Sequence, residues 1–306
     1  MRMARTPSTL QRSPTRLGRA FISLVTFTSL LCVVAAAGND VAGASTRGSG
    51  QVDVLYAGSF EDLMQQVVGP AFTKATGYSV NGFSGGSDAL ASEIRGKTEV
   101  GDVFISASPT VNNTLEGSAN GSWVSWYAGF ATSPLVLGYN PSSKFAAALK
   151  SKSWYEVVGQ PGFLLGRTDP TTDPKGVLAV EALDKAAKAH HLPGLATLAT
   201  SSANVFPETS LVGELQAGQL DAGFFYGVEA SAAHLRTVPL NGTHLSAQYT
   251  ITVLNRAPHA AAARAFVAFL LGNSGQAILK RNGLVPSVPP TLSGRHAVPN
   301  DLKHTV

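Results

Sequence analysis

What most constrains this chain is the order of its periodicities, in which short β-patterned runs alternate with runs of helical spacing. Val52–Tyr56 (VDVLY) reads as a strand, and Ser59–Thr76 as a helix with Leu63, Met64, Val67, Val68, Ala71 and Phe72 along one face and Gly77 at its end. Tyr78–Phe83 is a second strand, Asp88–Arg95 a helix and Asp102–Ser106 a third strand. Alternation of this kind predicts a parallel sheet covered on both faces, so the fold class is α/β.

A second block of the same kind follows the aromatic, Gly-rich stretch Trp123–Phe130. Pro134–Tyr139 (PLVLGY) reads as a strand, followed by Phe163–Gly166, an Ala-rich helix Val177–His190, a helix Ser210–Gln216 and a strand Leu220–Tyr226. Gln248–Leu254 is extended, Ala260–Leu271 is an amphipathic helix and Ser274–Lys280 a short one. The expected organisation is two Rossmann-like lobes, the first from residues 45–134 and 251–306, the second from 135–250. Crossings near Thr132–Leu137 and Tyr249–Val253 make a two-strand hinge that permits closure around a ligand. From Pro286 onward, Pro, Ser and Asn predict a loose tail.

The N-terminus has the layout of a secretory signal peptide. Arg2, Arg5, Arg12, Arg16 and Arg19 precede an uncharged, mostly apolar run from Ala20 to Ala37. The run is nearly long enough to anchor in a bilayer, which takes about 20 residues. Ala35 and Ala37, then Ala42 and Ala44, favour cleavage instead, with a mature start near Gly38 or Ser45. Residues 1–44 are therefore expected to be a signal segment and the mature protein to lie outside the cytoplasm. Cys32, the only cysteine, would leave with it, which excludes disulfides and thiolate metal sites.

The formal charge of +4 is a property of that segment. Of 23 Lys and Arg, five precede Gly38, and the remaining 18 face 19 Asp and Glu, a net charge of −1. A near-neutral chain without Lys/Arg clusters argues against nucleic acid as a partner and for a small ligand.

Two turns offer places for such a ligand. Ser59 follows the first strand in Ala57-Gly58-Ser59 with Asp62 three residues on, and Ser87 follows Ser84-Gly85-Gly86, so both read as helix N-caps. In an open α/β sheet these turns lie at the carboxyl ends of adjacent strands, where helix N-termini attract anions. In the second block, Asp173 before Pro174 reads as an N-cap with Pro at N1, and Glu208 after Pro207 as an acid favouring a helix dipole.

These segments together resemble a family. The turns Ala57–Ser59 and Ser84–Ser87, GRTDPTTDPKG at Gly166–Gly176, PETSLVGELQAGQLDAGFFY at Pro207–Tyr226 and the close at Asn255–Pro286 are similar to the periplasmic molybdate/tungstate-binding proteins, in their tungstate-type branch. The resemblance covers nearly all of the mature chain and implies a type II periplasmic solute-binding fold and a membrane permease of an ABC importer as partner. It implies no enzyme activity, no cofactor beyond the molybdate or tungstate ligand, and a monomer. It further implies that Ser59 and Ser87 grip the anion's oxygens, that Asp173 and Glu208 give carboxylate oxygens to its metal centre, and that Tyr226 abuts the site. Lys175 and Val177 depart from the family pattern around Gly176.

Two carboxylates beside a dianion need an offset. A like-charge pair about 4 Å apart costs on the order of 4 kcal/mol at an effective dielectric near 20. Molybdenum and tungsten can expand from four oxygens to six and bond carboxylates, whereas sulfur in sulfate and phosphorus in phosphate cannot, so the acid pair would also reject those anions. The alternative is a receptor for sulfate or phosphate held by N–H and hydroxyl groups alone. An enzyme alternative is a serine hydrolase, because Gly82-Phe83-Ser84-Gly85-Gly86 matches the G-x-S-x-G elbow, although too few elements precede it for that fold. His190 and His191 read as a helix C-terminal turn, and His234, His244 and His259 as separate turn residues without metal-site spacing.

Overall fold

The computed structural model describes residues 50–203 and 205–306; the signal segment and Cys32 lie outside the described residues. The strands are β1 (Gln51–Ala57), β2 (Ser79–Gly85), β3 (Val103–Ser106), β4 (Tyr127–Tyr139), β5 (Leu165–Thr168), β6 (Val205–Phe206), β7 (Ala222–Tyr226), β8 (Arg236–Pro239), β9 (Ser246–Val253) and β10 (Val285–Ser293). They pair in the order β2-β1-β3-β9-β4-β7-β5-β6, with β8 and β10 also on β4.

Two parallel cores are joined through antiparallel strands. β1 pairs parallel with β2 and β3, and β5 parallel with β6 and β7. β4 belongs to both halves. Its residues Ala128–Pro134 pair with β9, and Leu135–Tyr139 pair with β7, starting from Leu135 opposite Tyr226. β3, β5 and β7 are buried along their whole length, as strands covered on both faces must be. β2, at the outer edge, is mostly exposed.

The helix after β1 opens with a 3-10 turn, Gly58–Phe60, passes through a π-helical stretch, Met64–Val68, and ends in regular helix at Thr76. Leu63, Met64, Val68 and Phe72 are buried as its spacing predicts, and Val67 and Ala71 pack at the margin. Gly77 ends it at φ 88°, where the absence of a Cβ removes the steric penalty. Phe60, at the head of this helix, meets Tyr249 of β9 edge-on with ring centroids 4.9 Å apart.

The predicted loose C-terminal tail is ordered. β10 runs antiparallel to β4, pairing Val285 with Thr132 and Ser293 with Tyr127, and short helical turns follow at Arg295–Ala297 and Asn300–Leu302. Val298 and Leu302 are buried in the main core. Composition misled because Pro, although it cannot donate to a ladder, is tolerated on an edge strand.

Candidate functional site

The two serines on the first half are not helix caps. The helical run begins at Gly58, its cap residue Ala57 makes no side-chain bond, and the Ser59 hydroxyl instead lies 2.8 Å from the Tyr249 hydroxyl. Asp62 closes no capping box and accepts from Gln66 Nε2 on its own helix. Ser87 is the first residue of the helix Ser87–Gly96 behind the cap residue Gly86, and its Oγ accepts the Ala107 N–H at 3.1 Å. Each hydroxyl is oriented by a tertiary partner distant in sequence, which local spacing does not reveal.

On the second half, Asp173 is the N-cap of the helix Pro174–His190, with Pro174 at its first position. Asp173 Oδ1 accepts from the Lys175 N–H and from Thr168 Oγ1 at the end of β5, both at 2.9 Å. The helix expected to begin at Ser210 spans Leu211–Gln216, and Glu208, ahead of it, engages Lys175. Its Oε1 meets Lys175 Nζ at 3.0 Å, while both oxygens of Glu229 lie 2.8 Å from the same ammonium. Glu229 Oε2 also accepts the Tyr226 N–H at the start of the helix Gly227–Ala232. Lys175 is wholly buried, and Asp173, Glu208 and Glu229 are almost so.

The two halves meet at these groups. A Cβ on Gly58 would overlap Glu208 Oε2, and one on Gly86 would overlap the Thr172 carbonyl and lie 3.2 Å from Asp173 Cβ. Ala89 N–H donates to that same Thr172 carbonyl at 3.1 Å. Tyr226, the last residue of β7, is buried with its ring 6.1 Å from that of Tyr249, whose hydroxyl holds Ser59. Contacts across the join thus run from Gly58 beside Ser59 to Glu208, and from Gly86 beside Ser87 to Asp173, with Tyr226 against Tyr249. Among the described residues, Glu208 Oε2 and Tyr226 Oη are buried without a hydrogen-bond partner, a costly state for a polar group.

Burial controls the electrostatics. It raises the pKa of Asp173, Glu208 and Glu229 against the pull of Lys175, with Glu208 pushed up to about 8. Burial acts to discharge Lys175 too, but Glu208, Glu229 and Asp173 together outweigh it and hold the ammonium charged. Burial likewise keeps the Tyr226 and Tyr249 hydroxyls neutral. Cavities open on the join, one of about 270 Å³ lined by Ser59, Asp62, Glu208 and Glu229, another of about 370 Å³ between Ser108 and Pro174.

Sequence reading missed Glu229 and Tyr249 and saw Lys175 only as a departure from pattern. Glu229 carries a local signal, standing three residues after Tyr226 in capping-box position; Tyr249 carries none. The hydrolase alternative gains no support: Ser84, the penultimate residue of β2 and still paired with Tyr56, has no side-chain hydrogen bond to a histidine among the described residues, so no triad base is in place. His190 stacks on Tyr155 in the last turn of its helix, and His191 closes that helix in the left-handed region. His259 is not isolated: its Nδ1 lies 2.9 Å from Asp102 Oδ2 and 3.4 Å from Asp53 Oδ2. Both Asp102 oxygens also accept backbone N–H groups, from His259 and Asp53, so this cluster pins the turn before the helix Ala260–Leu271.

The molybdate/tungstate-binding protein WtpA of Thermococcus kodakarensis is 25% identical over 237 residues, covering 60% of this chain and 66% of its own. The periplasmic molybdate-binding protein of Azotobacter vinelandii superposes with a TM-score of 0.60 at 19% identity, over 76% of this chain and 98% of its own. The sulfate-binding protein SubI of Mycobacterium tuberculosis superposes with a TM-score of 0.61 at 15% identity, over 79% of this chain and 88% of its own. The fold is thus the type II periplasmic solute-binding fold, two α/β lobes joined by strands. The family described as bacterial extracellular solute-binding protein matches residues 52–285, so the chain belongs to the extracellular solute-binding proteins, receptors that serve transport and not catalysis.

Proposed function

We propose that the protein captures molybdate or tungstate between its lobes, outside the cytoplasm, and delivers it as a monomer to the membrane permease of an ABC importer. The lobes are residues 45–134 with 251–306 and residues 135–250. Ser59 and Ser87 with their turn N–H groups seat the anion's oxygens, Tyr226 donates from the side, and Asp173 and Glu208 complete the shell of the metal centre. The observation that carries this reading is that Asp173 and Glu208 reach across the join onto the two serine turns, with Glu208 Oε2 buried and without a hydrogen-bond partner among the described residues. The relatives named for molybdate and tungstate agree with it.

A second reading, capture of sulfate or phosphate, draws on Lys175. Its ammonium already occupies Glu208 Oε1, and a cation in the cleft suits any tetrahedral anion. Calorimetric titration with molybdate, tungstate, sulfate and phosphate separates the two. Replacement of Asp173 or Glu208 by Ala is expected to weaken molybdate and tungstate binding at least a hundredfold. Unchanged binding by both variants, or tight sulfate binding by the unaltered protein, refutes the assignment. A ligand at about 100 times its Kd adds roughly 2.7 kcal/mol of stability, so thermal melts screen the anions first.

A further inference from the structure

The side chains of Tyr249 and Ser59 have no hydrogen-bond partner among the described residues but each other, hydroxyl to hydroxyl at 2.8 Å. Their surroundings differ. Tyr249 sits in the middle of β9, fully buried, with its backbone in register with Ala131 of β4. Rings stand against it on three sides, Phe60 at 4.9 Å, Tyr226 at 6.1 Å and Phe130 at 6.4 Å between centroids. Ser59 lies in the 3-10 turn after β1 and lines the cavity of about 270 Å³ that it shares with Glu208.

Two hydroxyls carry two protons into one contact, so one proton must find an acceptor elsewhere. With Ser59 as donor, the spare proton is that of Tyr249, buried with no other acceptor among the described residues, an arrangement that costs free energy. With Tyr249 as donor, the spare proton is that of Ser59, at the cavity wall, where solvent or a ligand accepts it. Donors matter on that wall, because Glu61, Asp62, Glu208 and Glu229 also line it and carboxylates at such range repel an anion. Among the lining residues of the first lobe, Ser59 alone carries a hydroxyl.

We propose that Tyr249 is a positioning residue for capture: by donating to Ser59 Oγ it turns the serine's own proton into the cleft, so that Ser59 meets the ligand as a hydrogen-bond donor. This rests on the oxyanion reading of the cleft and deepens it, since the ligand oxygen seated at Ser59 is then an unprotonated acceptor. Tyr249 acts through the serine and touches no ligand itself.

Calorimetric titration of molybdate into Tyr249→Phe, Ser59→Ala and the double variant tests the relay. Tyr249→Phe keeps the ring and removes the hydroxyl, and is expected to weaken binding about tenfold, the scale of one hydrogen bond to a charged group. Ser59→Ala is expected to weaken it at least as much, and the double variant to match Ser59→Ala within about twofold, because the tyrosine has no route to the ligand once the serine hydroxyl is gone. A tyrosine that mattered only for packing would lower affinity by the same factor in both backgrounds. Losses that multiply in the double variant, or a Tyr249→Phe protein that binds as tightly as the unaltered one, overturn the relay and leave the oxyanion reading intact. Should Tyr249→Phe be too unstable to titrate, Ser59→Ala decides alone, and undiminished molybdate affinity in it overturns the relay. Failure of the unaltered protein to bind molybdate, tungstate, sulfate or phosphate overturns both.

Discussion

Gly58 shows how closely the site is fitted at the scale of single residues. Its backbone requires no unusual conformation, yet a side chain there would occupy the space of Glu208 Oε2 from the other lobe. Gly58→Ala is therefore expected to obstruct the closed cleft while leaving each lobe folded. Anion affinity should fall at least tenfold with the unliganded melting temperature nearly unchanged, a split readable by calorimetry and thermal melts. Asp173 was legible in sequence because an N-cap followed by Pro is a local arrangement. Ser59 was legible as a residue of interest but not in its role, since its hydroxyl partner, Tyr249, lies 190 positions away. Lys175 looked like a departure from pattern because charge balance is a property of the assembled cleft.

At the scale of elements, the His259 turn is a device the sequence conceals. Asp102, fully buried at the entrance to β3, receives the N–H and Nδ1 of His259 and the N–H of Asp53, and so fastens the start of the helix Ala260–Leu271 to the first sheet. The hydrogen bond to Asp102 raises the His259 pKa above its ordinary value of 6.5. A raised histidine contributes stability that is fully present below the unfolded value and is lost as pH rises through the folded one. His259→Ala is accordingly expected to lower the melting temperature more at pH 5.5 than at pH 9, and an equal effect at both pH values would discount the ion pair. Helix spans such as Ala260–Leu271 were readable to the residue, because apolar periodicity is written along one segment. β4 was readable only in its second half, Pro134–Tyr139, because its first half gains its strand character from pairing with β9 and β10.

At the scale of the whole molecule, the C-terminal segment closes the first lobe. After the long excursion through the second lobe, the chain returns as β9, two helices and β10, and Leu302 inserts beneath the helix Ala260–Leu271 at 1% exposure. Leu302→Ala is expected to destabilise the protein by about 2–4 kcal/mol, measured by denaturant unfolding; a loss under about 0.5 kcal/mol would fit a tail of no structural consequence. Sequence by itself determined the α/β alternation, the buried faces of the helices, the Asp173-Pro174 cap and the Gly77 stop. Each depends on side chains within a few positions of one another and on the backbone preferences of single residues. Only the tertiary structure decided that Lys175 would meet Glu208 and Glu229, 33 and 54 positions away, that Ser59 would bond Tyr249, and that a proline-rich end would pair as a strand. Those contacts exist because sheet register and lobe packing bring distant segments together, and burial there changes what the same side chains cost and what they can hold.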